Sequence, residues 1–392
     1  MRILALSPIV PDAPSDGDRL RLFYFLKELG KKHEVTLACF SDPARPEDGD
    51  DQALKAFVSE IQRIPMPRSM QWINASLRFM SERPSNVMAY RSPEMQKLVD
   101  SLLAFGEYDA VFCHRLRMAP YALRARLPRV IDYTDSLTRY FERRAVQAQG
   151  LKKALWAREA KKIAAYEQWC ASQFDACLMN SEGDAATLRA MAPKANVVTV
   201  ANGVDFAKLK PAKLRRDPDR MVFVGNLAYP PNSEAVLWFA TEILPLIRAK
   251  RPQATLIVVG SHAPASLQRL KGTPGLEFSG FAADFRPLLW SAAVSVCPVR
   301  LAAGRQNKIL DAFACGTPVV ATRLTALGCE AEPGKQLLAA DSAGAFAAET
   351  LRLMKSPALG QKLAAQALRF VKARYDWNKS GRLIEAALKG DA

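Results

Sequence analysis

The sequence predicts an α/β protein made of two successive doubly wound units, and three observations carry that expectation. Short apolar runs of strand length alternate with longer stretches whose apolar residues recur at helical spacing, the rhythm of parallel strands covered by helices on both faces. At 201–219 this periodicity lapses into ANGVDFAKLKPAKLRRDPD, a stretch rich in Lys, Arg, Asp and Pro. Beyond it the strand-then-helix rhythm restarts. A length of 392 residues agrees, since domains average about 150 residues.

The elements follow in order. Residues 2–6 read as a first strand, and 19–30 as a helix with Leu20, Phe23, Leu26 and Leu29 on one face. Residues 34–40, 109–113, 129–133, 176–180 and 197–200 are further strands separated by helical segments. After the 201–219 linker, 221–224 is a strand, and 232–250 a helix with Val236, Phe239, Ile243 and Leu246 on one face. Residues 255–259, 276–279, 293–297 and 318–321 are strands. Residues 304–315 form a helix stopped by Gly316 and Pro318. Residues 343–374 are Ala/Leu-rich helices, and 377–388 a last one. The expected domains are 1–204, 205–375 and a C-terminal helix, 376–392. In doubly wound sheets a ligand sits at the carboxyl ends of the strands.

A hydrophobic content of 49% with 24% charged residues excludes a disordered chain, a collagen or a disulfide scaffold. The imbalance lies in charge: 55 Lys and Arg against 39 Asp and Glu leave +16. Such an excess expects nucleic acid, anionic lipid or phosphorylated substrates, and composition does not choose among them. No stretch approaches the roughly 20 apolar residues of a bilayer span. The opening MRILALSPIVPDAP breaks its apolar run at Pro8, so a first strand is expected there rather than a signal peptide. Seven cysteines occur without a CxxC spacing; Cys39, Cys113, Cys177 and Cys297 sit in strand-like runs and read as small buried hydrophobes, in a cytoplasmic, reducing setting. With three histidines in the chain, no His-built metal site is expected.

The densest basic run is 139–162. It holds Arg139, Arg143, Arg144, Lys152, Lys153, Arg158, Lys161 and Lys162 against Glu142 and Glu159, interleaved with Tyr140, Phe141, Leu151, Leu155 and Trp156. Basic residues with aromatics on a helical stretch suit an anionic membrane surface; a solvated helix face accounts for the same pattern.

The segment PVRLAAGRQNKILDAFACGTPVVAT, 298–322, carries the most chemistry. A strand ends, a loop holds Gly304, and a helix follows whose N-terminal turn offers free N–H groups to an anion. On that helix Arg305, Lys308 and Asp311 share one edge at three-residue spacing. Two cations and one acceptor suit a nucleotide diphosphate, the cations meeting phosphate and Asp311 the ribose hydroxyls. A solvated ion-pair face is the alternative.

This segment resembles the donor-site helix of family 4 glycosyltransferases, retaining enzymes of the GT-B fold. It is most similar to the sugar transferases associated with exopolysaccharide and PEP-CTERM/exosortase gene clusters. The resemblance extends to SDGDRLR at 15–21, RVIDYTDS at 129–136, AREAKKIAAYE at 157–167, ANGVD at 201–205 and FVGNLAYPPNSEAVLWF at 223–239. It implies two Rossmann-like domains facing across a cleft, with the C-terminal helix crossing back to the first. It implies transfer of a sugar, with retention and without metal, from a nucleotide-diphosphate donor to an acceptor hydroxyl, in exopolysaccharide or other cell-surface glycan synthesis. No cofactor beyond that donor is implied.

The roles implied by the resemblance are residue by residue. Asp311 stands where the family's second motif glutamate binds the donor ribose, one carbon shorter. The first motif glutamate falls on Ala303, a larger departure. Arg305 and Lys308 would neutralise the leaving diphosphate. Gly304, Asn307, Gly225, Asn226, Tyr229 and Asn232 would line the donor site, with Asn226 and Tyr229 standing in a region where the family places an Arg and a Lys. Gly17, Asp18, Arg19 and Arg21 would border the acceptor or phosphate loop after the first strand. His114 ends a strand at the cleft edge, as either a sugar contact or a satisfied structural histidine. Asp132 and Asp135 end the next strand as candidate acceptor contacts. Glu159 and Glu167 read as buried hydrogen-bond partners or surface charges. The expected partners are a nucleotide sugar, a lipid-linked or glycan acceptor and an anionic membrane surface through 139–162, with the protein peripheral at the inner face of the cytoplasmic membrane.

Rival patterns are weak. Asp16-Gly17-Asp18 matches a DxD but follows the first strand, and two α/β units do not suit a metal-dependent GT-A transferase. No GxGxxG or P-loop is present. No nucleic-acid module stands behind the +16, so nucleic acid is not expected as a partner. A second class stays open: a catalytically weak GT-B protein that serves as a binding or assembly partner in polysaccharide synthesis.

Overall fold

The structure is a computed structural model. It describes residues 1–12, 17–45, 51–77, 80–212, 214–301 and 305–391, the side chains of 17 and 18 excepted. The chain forms two compact units: Met1–Asn202 with Trp377–Ala392, and Gly203–Asp376.

In the first unit, β1 (Arg2–Ser7) is followed by α1 (Gly17–Leu29), β2 (Glu34–Ser41), β3 (Glu60–Pro65), α2 (Arg68–Leu77), β4 (Ala110–His114), β5 (Arg129–Thr134), α3 (Leu137–Gln147), α4 (Gly150–Ala171), β6 (Ala176–Met179) and β7 (Val197–Thr199). The strands form one sheet in the order β3-β2-β1-β4-β5-β6-β7, every neighbouring pair parallel. Ile3, Leu4, Ala5 and Leu6 are all buried, as a central parallel strand covered on both faces requires. The order reverses between β1 and β4, which opens a crevice at their carboxyl ends. The helix Trp377–Lys389 returns to this unit and packs on α1. Trp377 stacks on Tyr24 with ring centroids 4.6 Å apart. Gly381 passes so close to α1 that a Cβ there would stand 2.6 Å from that of Glu28.

In the second unit, β8 (Asp217–Val224), β9 (Thr255–Val259), β10 (Leu276–Gly280), β11 (Ala292–Cys297), β12 (Val319–Ala321) and β13 (Leu338–Ala339) form a parallel sheet in the order β10-β9-β8-β11-β12-β13. Its order reverses between β8 and β11, and α5 (Asn307–Ala314) follows β11.

Several elements depart from expectation. β3 was absent from the sequence reading: EIQRIP sits at a sheet edge, half-buried, and lacks a long apolar run. β13 has two residues. β8 begins at Asp217, inside the stretch read as linker, because Asp217 pairs with Ala292. The helix expected over 232–250 is three pieces, Pro230–Trp238, a π-helical Phe239–Ile243 and Leu244–Arg248. Pro245 has no N–H to donate to the preceding turn, and the ladder widens before it. The basic run 139–162 is not one helix but the hairpin of α3 and α4, turned at Gly150 with φ of 57°. All seven cysteines are free and buried.

Candidate functional site

In the second unit the candidate site lies where β8 and β11 diverge. β8 ends at Val224 and the chain turns at Gly225, Asn226 and Leu227. Asn232, near the start of the next helix, is buried and reaches back: its Nδ2 donates to the Asn226 carbonyl at 2.8 Å. Its Oδ1 accepts from the Lys308 ammonium at 2.9 Å. Gln306 Oε1 accepts a second Lys308 hydrogen at 3.1 Å, which leaves the third N–H without a partner among the described residues. The ammonium also stands 5.3 Å from the Phe223 ring centroid. Burial draws the Lys308 pKa below its ordinary value.

Two glycines make room for this clamp. A Cβ on Gly225 would lie 2.9 Å from Asn232 Nδ2 and 3.2 Å from Lys308 Cε. A Cβ on Gly260, after β9, would lie 2.0 Å from the Gly225 carbonyl oxygen. Asp311 follows Lys308 by three residues on α5. Burial pushes its carboxyl up to about 7 against the opposing pull of Lys308, and the carboxylate carries no hydrogen bond among the described residues. Asn226 Oδ1 accepts from the Ala228 N–H at 2.9 Å, Tyr229 is partly exposed at the helix entrance, and Asn307 opens α5. Gly304 and Ala303 lie outside the described residues.

Arg305 is not on the helical edge expected of it. α5 starts at Asn307, so Arg305 precedes the helix and does not share a face with Lys308 and Asp311. Its guanidinium ion-pairs with Glu330 at 2.8 Å, donates to the Gly328 carbonyl at 3.3 Å and lies 4.5 Å from the Tyr375 ring centroid. Its Nη1 is buried without a hydrogen-bond partner among the described residues. The charge intended for a diphosphate is thus already balanced by Glu330.

In the first unit His114 ends β4, fully buried, with Nδ1 3.0 Å from Asp132 Oδ2. Asp132 and Arg21, expected as a candidate acceptor contact and at the border of the acceptor or phosphate loop, are likewise fully buried and bonded to each other. Arg21 Nη2 lies 2.8 Å from Asp132 Oδ1 and Nε 2.9 Å from Oδ2. Arg21 Nη1 donates to the Val200 carbonyl and to Asn202 Oδ1 at 2.8 and 2.7 Å. Burial alone would raise the Asp132 pKa; Arg21 and the His114 hydrogen bond outweigh it and hold the carboxyl far below the usual range. Asp135, just beyond β5, is half-buried. Glu167 is buried beneath the start of α3, accepting from the Leu137 N–H at 2.8 Å and Thr138 Oγ1 at 2.6 Å; desolvation raises its pKa to about 7.

Gly17 opens α1, and the Asp18 side chain lies outside the described residues. Arg19 donates to the Val10 carbonyl at 2.8 Å and lines a cavity of about 310 Å³ at the carboxyl ends of β1, β2 and β3. Arg45, Arg68, Asp42, Gln71 and Tyr90 share that lining. Sequence reasoning missed these residues because they come from separate segments with no motif. It also missed Gly260 and Gln306, although Gln306 stands inside the quoted RQNK. Among the described residues no group of three or more His, Cys, Asp or Glu could hold a metal ion.

The family described as Glycosyltransferase Family 4 matches residues 20–208, and that described as Glycosyl transferases group 1 matches residues 218–356. A Klebsiella pneumoniae protein described as an uncharacterized 44.6 kDa protein in the cps region is 24% identical over 167 residues, 41% of this chain and 43% of that protein. The phosphatidyl-myo-inositol mannosyltransferase of Propionibacterium freudenreichii is 28% identical over 204 residues, 49% of this chain and 50% of that enzyme. The chain thus spans about half the length of the curated relatives it matches. The crystal structure of Anabaena HepE in complex with UDP superposes with a TM-score of 0.69 over 99% of this chain and 100% of that one, at 16% identity. The fold is GT-B.

Proposed function

We propose, on the premise that residues 20–208 and 218–356 are glycosyltransferase domains of the family 4 and group 1 type, that this chain transfers a sugar from a nucleotide-diphosphate donor to an acceptor hydroxyl. The observation that carries the reading is the Lys308 clamp. A desolvated ammonium is fixed by Asn232 and Gln306 beside a glycine turn, with the Asp311 carboxylate one helical turn on. HepE, of the same fold, was solved with UDP, which supports a nucleotide donor.

In this reading the diphosphate lies against Lys308 and the positive end of α5, and Asp311 accepts from the ribose hydroxyls. As the bond from the anomeric carbon to the diphosphate oxygen breaks, charge builds on the leaving phosphate. A fixed ammonium stabilises that charge more in the transition state than in the ground state. The acceptor oxygen bonds to the anomeric carbon on the face the diphosphate leaves, and its proton passes to a leaving-phosphate oxygen, so configuration is retained. The reaction is proposed to need no metal, because Lys308 holds the leaving charge. The acceptor belongs to the first unit, where Arg19 lines the cavity and His114 ends β4. A lipid-linked or glycan acceptor of exopolysaccharide synthesis, at the inner face of the cytoplasmic membrane, fits a relative in a cps region and another named for a phosphatidylinositol acceptor.

The test is a thermal-shift screen of nucleotide diphosphates and their sugars, followed by turnover with radiolabelled donors and a membrane lipid extract. Stabilisation by a nucleotide diphosphate and EDTA-resistant transfer are expected. Loss of transfer with EDTA, restored by Mn²⁺ or Mg²⁺, overturns the metal-free step. The ion pair of Arg305 with Glu330 favours a second reading, a chain that binds the donor yet turns it over weakly. Donor stabilisation without transfer for any acceptor decides for it.

A further inference from the structure

Helix α2 faces the wrong way for a helix in water. Asn74 points inward, buried, and donates to the Ala89 and Arg91 carbonyls at 3.2 and 3.0 Å. Met70, Ile73 and Leu77, at helical spacing, are all exposed, with Ile73 at the centre of the exposed side, and Trp72 is exposed on its other flank. Trp72 is 74% exposed and Leu77 76%. Met80, just beyond the helix, is 78% exposed.

The chain leaving α2 lies against α4, on the stripe that Leu151, Leu155 and Arg158 share by helical spacing. The Arg158 guanidinium nitrogens lie 3.9 Å from Met80 Sδ. Glu159 accepts from the Ser85 N–H at 3.0 Å and from its hydroxyl at 3.1 Å, which fastens the chain following α2 onto α4. The hairpin adds Val146 and Leu151, 80% and 86% exposed, and Leu155. Clustered exposure of this kind, unlike single surface hydrophobes, marks a contact surface.

Charge selects the partner. Arg68, Arg83, Lys152, Lys153 and Lys161 are exposed on the same segments, while among the described residues of 68–88 and 137–162 the exposed acids are Glu82 and Glu142. Glu159 is taken up by Ser85 and Lys162. Arg139, counted in the basic run, is not available, because it is paired with Asp184 at 2.8 Å.

We propose that α2 and the α3–α4 tip form one docking surface for an anionic lipid bilayer, the apolar side chains entering the headgroup region and the surrounding Lys and Arg meeting lipid phosphates. This rests on the peripheral placement proposed above and names the segment that carries it. α2 contributes the apolar anchor, which the basic run 139–162 alone lacks.

The experiment is co-sedimentation of the full chain with phosphatidylcholine vesicles, with and without phosphatidylglycerol, in the absence of donor and acceptor. Failure to pellet therefore leaves the transferase reading intact, and absence of turnover leaves this one intact. Binding is expected with phosphatidylglycerol and falls as salt rises. Joint replacement Trp72→Ser and Leu77→Ser is expected to weaken it at least about tenfold, since each removes a large apolar contact. Joint replacement Lys152→Glu and Lys153→Glu is expected to remove the preference for anionic vesicles. Both pairs are surface changes whose folding is checked by thermal unfolding. Equal binding to neutral vesicles, unchanged binding of both variants, or a dimer in analytical ultracentrifugation that Trp72→Ser and Leu77→Ser dissociate would overturn the proposal, the last by giving the surface to a second copy of the chain.

Discussion

Arg21 and Asp132 form a two-point ion pair, Nη2 to Oδ1 at 2.8 Å and Nε to Oδ2 at 2.9 Å, with neither side chain reaching solvent. The same guanidinium ties to Val200 and Asn202, so it bolts α1 to the end of β5 and to the segment leaving the first unit. His114 takes its orientation from the same carboxylate.

Breaking this pair strands a buried charge. Arg21→Ala is expected to cost about 3–5 kcal/mol, read as a fall in the thermal midpoint of the first unit. The Asp132 carboxyl titrates below its unfolded value, so its contribution is complete above the unfolded pKa of about 4 and fades as pH falls through and beyond it. The stability difference between the wild-type chain and Asp132→Asn should therefore shrink on going from pH 6 to pH 3. A constant difference across that range contradicts the assignment.

Gly260 acts on the Lys308 clamp at one remove. An added Cβ would sit 2.0 Å from the Gly225 carbonyl oxygen, and backbone rather than a flexible side-chain end must yield. Gly260→Ala is expected to cost about 1–3 kcal/mol and to shift the Gly225 turn against Asn232 and Lys308. Both a lower thermal midpoint and weaker nucleotide-diphosphate binding should follow. Unchanged binding in a destabilised variant would separate the packing from the site.

Much of the fold was legible because central parallel strands are apolar throughout and their helices amphipathic; residues 3–6, 255–259 and 293–297 show it. What escaped lacks that signal. β3 is a half-buried edge strand of EIQRIP, and β13 has two residues. The second sheet's start at Asp217 depends on a partner in β11 and not on its own composition. In the site, Lys308, Asn232, Asp311 and Gly225 were legible through their segments and come together. Arg305 was misread because three-residue spacing implies a shared face only inside a helix, and the helix begins two residues later. The outward apolar side of α2 escaped because no element was assigned to 68–77, and spacing would not have said which way its apolar residues point.

Lys308 is the sharpest test of the proposed donor site. Lys308→Ala is expected to lower kcat/KM about 10²–10³-fold, the range for loss of one preorganised charge-stabilising donor. The thermal midpoint should hardly fall, since a desolvated ammonium is removed with its own burial cost. Lys308→Arg should not restore turnover: the pocket between Asn232 Oδ1, Gln306 Oε1 and the Phe223 ring is built around a compact ammonium. Near-normal turnover of Lys308→Ala rejects the phosphate role.

The proposed ribose contact of Asp311 would tie donor binding to pH. Burial raises its folded pKa to about 7 from an unfolded value near 4. The native state then binds this proton more tightly than the unfolded chain, so ionised Asp311 destabilises the fold increasingly as pH rises from about 4 to 7 and fully above that. Asp311→Asn removes the penalty, and its thermal midpoint should exceed that of the wild-type chain at pH 8 and converge with it near pH 4. Ribose hydroxyls donate best to the ionised form, so nucleotide-diphosphate affinity should rise from pH 6 to pH 8 in the wild-type chain and stay flat in Asp311→Asn. Calorimetric titrations at the two pH values measure it, and a wild-type affinity that does not change between them removes Asp311 from the ribose site.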